Sequence, residues 1–363
     1  MNATASTATE SGRPAAAGAN APLLELRDIT TLFGHGAGAT VANDRVSLTI
    51  EESPPRIVSI VGESGSGKTT AARSLLGLQA ATTGDTLWRG KDTASLSKDE
   101  LLEFRKEVQA VFQDPYGIFN PFYRINRVFD MTIKKFKLAK AKGEKEKLIE
   151  EALRAVNLRP PDVLGRYPHQ LSGGERQRVM LARAYLLKPK VIVADEAISM
   201  LDVAVRAVIM NILVDFKDNL GISTVFITHD LSAAYYLGGD IMVMHRGRVV
   251  ETGDSVTVMQ EPKHPYTQLL LQSIPSPDPD ERWGATGIAA SEQDDTNAAL
   301  RTSRNRCLFA ERCPYVMQTC WESRPPLFDA QPQQAACYLY DPNVQSSGEA
   351  GAAVERVQAA VSA

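Results

Sequence analysis

The sequence predicts an α/β fold built around a buried parallel sheet, and three observations lead to that prediction. Short, continuously apolar runs at residues 57–61, 191–194 and 224–228 are typical of strands covered on both faces. Amphipathic stretches at 97–108 and 144–157 have helical spacing. Each apolar run ends in glycine or polar residues, and ligands of open α/β sheets lie at that end of the strands. We therefore expect a ligand site along one edge of the sheet.

Composition indicates a globular protein. The chain has 363 residues, of which 44% are hydrophobic, which is enough for one large domain or two ordinary ones. Its 40 basic and 43 acidic residues give a net charge of -3, so we expect no nucleic-acid partner. No run of about 18 apolar residues occurs, and we expect any membrane role to come through a partner.

Composition also shifts along the chain. Residues 24–29 and 46–50 alternate apolar and polar side chains, as half-buried antiparallel strands do. Prolines, aspartates and serines crowd the stretch after residue 272, which is typical of a linker. In order, we predict a disordered tail (1–22), a main domain (23–272) with a helical subdomain at about 114–185, a linker (273–300), a module with four cysteines (301–341) and a second disordered tail (342–363).

A complete phosphate-loop pattern, G-E-S-G-S-G-K-T, fills residues 62–69 between a predicted strand and a predicted helix. Its small residues let successive backbone N–H groups point at phosphates, and the helix N-terminus adds positive potential. We expect Lys68 to reach the β and γ phosphates and Thr69 to bind Mg²⁺. A glycine-rich turn without a ligand is the alternative. The predicted ATP-binding residues here are Gly62, Glu63, Ser64, Gly65, Ser66, Gly67, Lys68, Thr69 and Thr70.

Acidic and polar side chains follow the other apolar runs. Asp195 and Glu196 end one run, where Asp195 can hold Mg²⁺ and Glu196 can activate the water that attacks the γ phosphate. An acid pair that caps the next helix is the alternative. His229 ends the neighbouring run, and we expect it to contact the γ phosphate, although a lone histidine is more often structural. Gln113 follows a fourth short run, and its amide can bind Mg²⁺ or the attacking water.

A second phosphate site is predicted at residues 171–178, L-S-G-G-E-R-Q-R. A serine hydroxyl, bare backbone amides and a helix N-terminus are brought together there, and all three favour an anion. Two phosphate sites in one chain suggest a nucleotide that is shared.

These motifs, in this order, resemble those of the ATPase subunits of ABC transporters over residues 23–272. The resemblance implies a P-loop ABC ATPase domain with a RecA-like core, an antiparallel β subdomain and a helical subdomain. It also implies that two subunits close head to tail around two ATP molecules. The residues that it assigns to the ATP of the partner subunit or to the interface are Ser172, Gly173, Gly174, Gln177 and Asp202.

The resemblance further implies an aromatic side chain that stacks on adenine, and Phe33 is the candidate, with core packing as the alternative. One departure from the family pattern follows the acid pair. Ala197 and Ile198 stand where most relatives carry proline and threonine. Because neither usual residue does chemistry, we expect altered loop packing and not a loss of hydrolysis.

The segment E-P-K-H-P-Y-T at residues 261–267 looks like the start of the C-terminal extension of oligopeptide and dipeptide importer ATPases. It implies an ATP hydrolase that energises import of short peptides from the cytoplasmic face of the membrane. The implied partners are a second ATPase subunit, in a heterodimer, two permease subunits and, indirectly, an extracytoplasmic solute-binding protein. Import of an oligosaccharide or nickel, or a soluble ATPase of DNA repair or translation, are the alternatives. We assign His264 no catalytic role.

Four cysteines fall in the last sixty residues with the spacing C-x5-C-x6-C-x16-C. A cytosolic chain disfavours disulfides and leaves thiolates for Zn²⁺ or an iron-sulfur cluster. Structural zinc usually uses a closer cysteine pair. The spacing is similar to the pattern that is thought to hold a 4Fe-4S cluster in peptide-importer ATPases, so we favour a structural cluster, with zinc or free thiols as alternatives. The predicted ligands are Cys307, Cys313, Cys320 and Cys337.

Overall fold

The computed structural model describes residues 21–34, 36–114, 116–141, 143–273 and 304–346. Most of the two predicted tails and nearly all of the predicted linker lie outside these ranges. The strands are β1 (Leu24–Phe33), β2 (Thr40–Ile50), β3 (Ile57–Val61), β4 (Thr83–Trp88), β5 (Lys91–Asp92), β6 (Val108–Val111), β7 (Val191–Asp195), β8 (Ser223–Thr228), β9 (Asp240–His245), β10 (Arg248–Asp254), β11 (Phe328–Ala330) and β12 (Gln333–Ala335).

The α-helices alternate with these strands through most of the chain. They are α1 (Lys68–Leu75), α2 (Lys98–Glu107), α3 (Asn126–Phe136), α4 (Glu144–Arg154), α5 (Pro160–Val163), α6 (Gly173–Tyr185), α7 (Val203–Leu220), α8 (Leu231–Leu237), α9 (Ser255–Gln260), α10 (Pro265–Gln272), α11 (Gln318–Glu322) and α12 (Pro342–Ser346). Within the described ranges, none of the helices combines the length and apolar character that a membrane crossing requires.

An eight-stranded sheet in the order β11-β12-β10-β9-β3-β8-β7-β6 forms the centre of the fold. Strands β9, β3, β8, β7 and β6 run parallel, so their carboxyl ends share one edge. The three apolar runs of the sequence form β3, β7 and β8, and each is buried along its whole length. The predicted α/β class is confirmed.

Alternation along β8 explains why its central residues are all apolar. Phe226 faces one core cluster, which includes Val179 of α6 and Leu213 of α7. Val225 and Ile227 face the opposite cluster, together with residues of α1 and of the second sheet. Since successive side chains of a strand point to opposite faces, a strand covered on both sides can be apolar at consecutive positions.

The second sheet has the order β2-β1-β4-β5, and its paired strands are antiparallel. Leu24 faces Ile50 and Leu26 faces Leu48 across β1 and β2, so the apolar positions of both predicted strands meet on one buried side. The alternating patterns at 24–29 and 46–50 therefore belong to real strands, which extend further than the pattern indicated.

Helices α3 to α6 lie between β6 and β7 in the chain, in the region predicted as a helical subdomain. Their inner faces contribute Phe129, Ile149, Leu153 and Val179 to the same cluster as β7. Outside this region, α2 begins with a capping box, in which the side chains of Ser97 and Glu100 each accept from the backbone amide of the other residue. This S-x-x-E pattern is typical of a helix N-terminus.

The cysteine-bearing part of the chain joins the main sheet. Strand β12 pairs with β10 in antiparallel register, with Glu251 opposite Ala335, and β11 then pairs with β12. The amide of Ala336 donates to the carbonyl of Val250 at 2.8 Å. With three residues each, β11 and β12 are too short to produce a periodic pattern, so the sequence did not reveal that they extend the sheet.

Candidate functional site

The phosphate loop connects β3 to α1 at the carboxyl edge of the sheet. Gly67 is the N-cap of α1 and adopts the left-handed conformation, with φ at 99°. A Cβ atom there would lie 2.1 Å from the carbonyl oxygen of Ala42, so no other residue fits without backbone movement. Of the remaining predicted residues, Gly62 and Ser66 are buried, Glu63, Thr69 and Thr70 are half-buried, and Ser64 and Gly65 are exposed.

Lys68 curls back over the loop that precedes it. Its Nζ donates to the carbonyls of Gly62 and Glu63, each at 2.8 Å, and the residue is only 4% exposed. Burial lowers the pKa of Lys68, while the carboxylates of Glu196 and Asp195 oppose that shift. A buried ammonium group beside the backbone amides of the loop favours the binding of a polyphosphate.

Thr69 and Asp195 come together from α1 and the end of β7. The Thr69 hydroxyl donates to Oδ1 of Asp195 at 3.2 Å. Burial is the largest influence on Asp195 and raises its pKa, and the hydrogen bond from Thr69 opposes it. A hydroxyl and a carboxylate side by side provide the hard oxygen ligands that Mg²⁺ prefers, so these two residues fit the predicted magnesium site.

Glu196 and His229 face each other beyond the strand ends. Oε1 of Glu196 lies 3.4 Å from Nδ1 of His229. The backbone of Glu196 is left-handed, with φ at 47°, and its amide donates to the carbonyl of Ile227 at 2.9 Å. A left-handed residue other than glycine costs roughly 1–2 kcal/mol. Such strain is common where a side chain must be aimed at a ligand.

Gln113 and Gln177 occupy different environments. Gln113 is exposed in the loop that follows β6. Gln177 is fully buried on α6, and its Nε2 donates to the carbonyl of Phe112 at 3.3 Å. Because α6 packs its inner face against this loop, Gln177 supports the residue before Gln113 in this structure. The contact of Gln177 with a nucleotide on a partner subunit stays a prediction.

The predicted second phosphate site lies at the N-terminus of α6. The Ser172 hydroxyl accepts from the amide of Glu175 at 3.2 Å and donates to its carboxylate at 2.9 Å, which makes Ser172 the helix cap. A Cβ atom on Gly174 would lie 2.4 Å from Val205 of α7, so glycine permits the two helices to approach. Ser172 is exposed, and Gly173 is half-buried beside it.

Phe33 and Asp202 both have accessible side chains. Phe33 ends β1 and is 45% exposed, so its ring is available for stacking. Asp202 is exposed at the start of α7, and its side chain does not cap that helix. Ala197 and Ile198, the departures from the family pattern, are each 2% exposed and pack into the main core cluster.

Two contacts to the phosphate loop come from residues that the sequence did not single out as functional. The hydroxyl of Tyr266 accepts from the amide of Glu63 at 3.1 Å. The guanidinium of Arg312 lies 3.5 Å from the Glu63 carboxylate. Both are more than 200 positions from Glu63 in the sequence, and no local pattern links them to it.

The four cysteines line one small cavity next to His264 and Phe309. None of them forms a disulfide. Burial raises the pKa of all four thiols, that of Cys313 to about 12. In the part of the chain that the structure describes, no group of three or more histidine, cysteine or acidic residues is arranged to hold a metal ion.

Comparisons with known proteins agree with this geometry. Residues 44–199 match the ABC transporter family, and residues 250–320 match the C-terminal region of oligopeptide/dipeptide transporters. YkfD of Bacillus subtilis, named as an oligopeptide transport ATP-binding protein, is 39% identical over 88% of this chain and 96% of its own length. The dipeptide transport ATP-binding protein DppF of Lactococcus lactis is 43% identical over 71% of this chain and 82% of its own.

The fold also matches a solved ATP-binding cassette. The dimeric cassette MJ0796, in a post-hydrolysis state bound to ADP and phosphate, superposes with a TM-score of 0.56 at 29% identity. The match covers 64% of this chain and 98% of that one. Because YkfD is 39% identical over nearly the whole of its own length, this chain belongs to the ABC transporter family. Within that family it is an ATP-hydrolysing subunit of the oligopeptide/dipeptide transporter group.

Proposed function

We propose that the chain energises the import of dipeptides or oligopeptides across the cytoplasmic membrane by hydrolysing ATP on the cytoplasmic face. The meeting of Thr69 and Asp195 at 3.2 Å, beside the phosphate loop and Glu196, carries the hydrolytic part of this proposal. The relatives named for peptide and dipeptide transport support the solute class. They also favour peptide over oligosaccharide or nickel import.

In the proposed reaction, Glu196 accepts a proton from the water that attacks the γ phosphorus. The bond from that phosphorus to the bridging oxygen breaks, and ADP and phosphate leave. Lys68 compensates the charge on the β and γ phosphates, and His229, 3.4 Å from Glu196, orients the γ phosphate. Thr69, Asp195 and Gln113 are the residues that would hold Mg²⁺, which neutralises phosphate charge.

A partner subunit completes the site in this proposal. Ser172 is exposed, and Gly173 and Gly174 follow it in the first turn of α6, so a hydroxyl and a helix N-terminus can meet the γ phosphate of ATP on a second subunit. The exposed Asp202 lies on the same proposed interface. ATP then touches both subunits only when they are closed, so its binding shifts the pair toward closure and hydrolysis releases it. We expect the second subunit to be a related but different chain.

The proposed contact with the permease subunits is an apolar groove in the helical region. A cavity of about 300 Å³ is lined by Ile118, Tyr123, Ile125 and Met131. Phe122 beside it is 83% exposed. Exposed aromatic and apolar side chains grouped in this way are typical of protein interfaces. Since the groove follows the loop of Gln113, closure at the ATP site can move it.

We also propose that Cys307, Cys313, Cys320 and Cys337 hold a 4Fe-4S cluster, with Zn²⁺ as the alternative. All four thiols line one cavity, and four thiolates are the usual ligands of such a cluster. The cluster would supply structural cross-links between the segments that carry the cysteines.

Metal analysis tests the cluster. Protein purified without oxygen should be brown and contain about four irons per chain, the number in a 4Fe-4S cluster. Cys320→Ser should lower the iron content sharply. Stoichiometric zinc in a colourless protein would contradict the assignment.

Reconstitution tests the transport function. The chain is assembled in lipid vesicles with its second ATPase subunit, its two permease subunits and the solute-binding protein. Peptide uptake should require ATP and should stop with Glu196→Gln. ATP hydrolysis without peptide uptake, but with uptake of an oligosaccharide or nickel, would replace the proposed solute.

A further inference from the structure

Glu63, the second residue of the phosphate loop, is held at three points. Its amide donates to the Tyr266 hydroxyl at 3.1 Å, and its carbonyl accepts from Lys68 at 2.8 Å. Its carboxylate lies 3.5 Å from Arg312. Tyr266 and Arg312 both belong to the C-terminal region of residues 250–320. Two of the three anchors therefore reach the loop from the C-terminal region.

The Tyr266 side chain is completely buried where the C-terminal region meets the core. Its exposed fraction is 0%, and its ring centroid lies 4.2 Å from that of His245 and 5.6 Å from that of Phe309. A buried tyrosine hydroxyl needs a hydrogen-bond partner, and the Glu63 amide is one. Burial raises the pKa of Tyr266, which keeps the hydroxyl neutral.

Hydrogen bonds fix the backbone from which the Tyr266 ring projects. The amide of Tyr266 donates to Nδ1 of His264 at 3.0 Å, so His264 caps α10. The amide of His264 donates to the carboxylate of Glu251 at 3.0 Å, and Gln333 of β12 donates to the same carboxylate at 2.8 Å. The H-P-Y-T segment therefore has a structural role, which is to hold Tyr266 in place.

We propose that Tyr266 is a positioning residue of the phosphate loop, and that the C-terminal region thereby raises the affinity of the loop for ATP. This inference rests on the proposed role of residues 62–69 in binding ATP. It gives the C-terminal region a part in nucleotide binding as well as in folding.

The physical reason is preorganisation. A phosphate loop binds through backbone amides that already point at the ligand, so a loop that must first be ordered binds more weakly. Without the Tyr266 hydroxyl, the Glu63 peptide loses one of its anchors. A single hydrogen bond of this kind changes affinity by about two- to tenfold.

Tyr266→Phe in the full chain tests the proposal, because it keeps the buried ring and removes the hydroxyl. We expect the Kd for Mg-ATP, measured by calorimetric titration, to rise about two- to tenfold. In the assembled transporter the KM for ATP should rise equally, with kcat unchanged. Tyr340→Phe is the matched control, since the Tyr340 hydroxyl donates to the carbonyl of Lys263 at 3.1 Å and does not reach the loop. Its Kd should equal that of the wild type.

An unchanged Kd in Tyr266→Phe, or an equal rise in both variants, would overturn the proposal. If Tyr266→Phe does not fold, Arg312→Gln replaces it, because Arg312 is only half-buried and the ion pair can be removed without a cavity. An unchanged Kd in that variant overturns the proposal equally. A wild-type chain that fails to bind Mg-ATP would instead refute the ATP site itself, so the two failures are distinguishable.

Discussion

The carboxyl edge of the main sheet and the N-terminus of α6 both carry polar residues, but they are built differently. At the sheet edge, Lys68 is buried and Thr69 contacts Asp195, so side chains from separate strands converge on one volume. At α6, Ser172 is exposed and bonds only to its own helix turn among the described residues.

This difference is what the proposed function requires, with two half-sites that serve different nucleotides. In the proposal, the sheet edge supplies the cation, the magnesium ligands and the base for ATP held by this chain. In the proposal, the α6 terminus meets a phosphate of the ATP that the partner subunit holds, and the exposure of Ser172 agrees with that role. Variants at the two places should therefore separate ATP binding from ATP hydrolysis.

Glu196→Gln should have the largest effect. Loss of a general base lowers kcat by about 10²- to 10⁴-fold, whereas the similar shape of glutamine should preserve ATP binding. Hydrolysis is measured as phosphate release from the assembled transporter, and binding by titration of the purified chain. Hydrolysis at the wild-type rate would remove Glu196 from the reaction.

Lys68→Ala should weaken ATP binding by about 10- to 100-fold, because a buried cation that donates to phosphate is lost. Lys145→Ala is a suitable control, since Lys145 is half-buried and pairs with Asp130 on the helical region. Titration with Mg-ATP should give a wild-type Kd for the control. Equal affinities for the two variants would count against the assigned phosphate loop.

Ser172→Ala should lower hydrolysis by the assembled transporter about tenfold or more and leave the Kd of the isolated chain unchanged. Ser97→Ala is a close match, because Ser97 caps α2 with the same capping box. Each substitution removes a helix cap worth about 1 kcal/mol. If both variants lose hydrolysis equally, the serine acts only as a cap.

Phe33→Ala should have the smallest effect, a rise of about two- to tenfold in the Kd for ATP. The neighbouring Leu32→Ala provides the control, since successive side chains of a strand point to opposite faces. Comparing ATP with inorganic triphosphate isolates the adenine contribution. A Kd for triphosphate that rises as much as that for ATP would exclude stacking.

The residues at the sheet edge could be predicted from sequence because each of them lies in a short, continuous motif. Residues 62–69 form one continuous motif, and the acids follow an apolar run whose end must lie at the edge of the sheet. Lys68, Asp195 and Glu196 could be assigned without knowing what packs against them.

Contacts that depend on tertiary packing could not be predicted. Gln177 is three positions after Gly174 of its motif, yet its side chain faces inward because α6 packs on the loop at Phe112. Tyr266 reaches Glu63 across 203 positions, and nothing in either segment indicates the other. The strands β11 and β12 pair with the main sheet although each has only three residues.

The most direct test is a structure of the assembled transporter with Glu196→Gln and Mg-ATP, determined by electron cryomicroscopy. The account predicts that ATP on the partner's phosphate loop lies within hydrogen-bond distance of Ser172 of this chain, and that ATP on Lys68 is covered by the partner subunit. Two nucleotides that each contact a single chain in a closed transporter would contradict it.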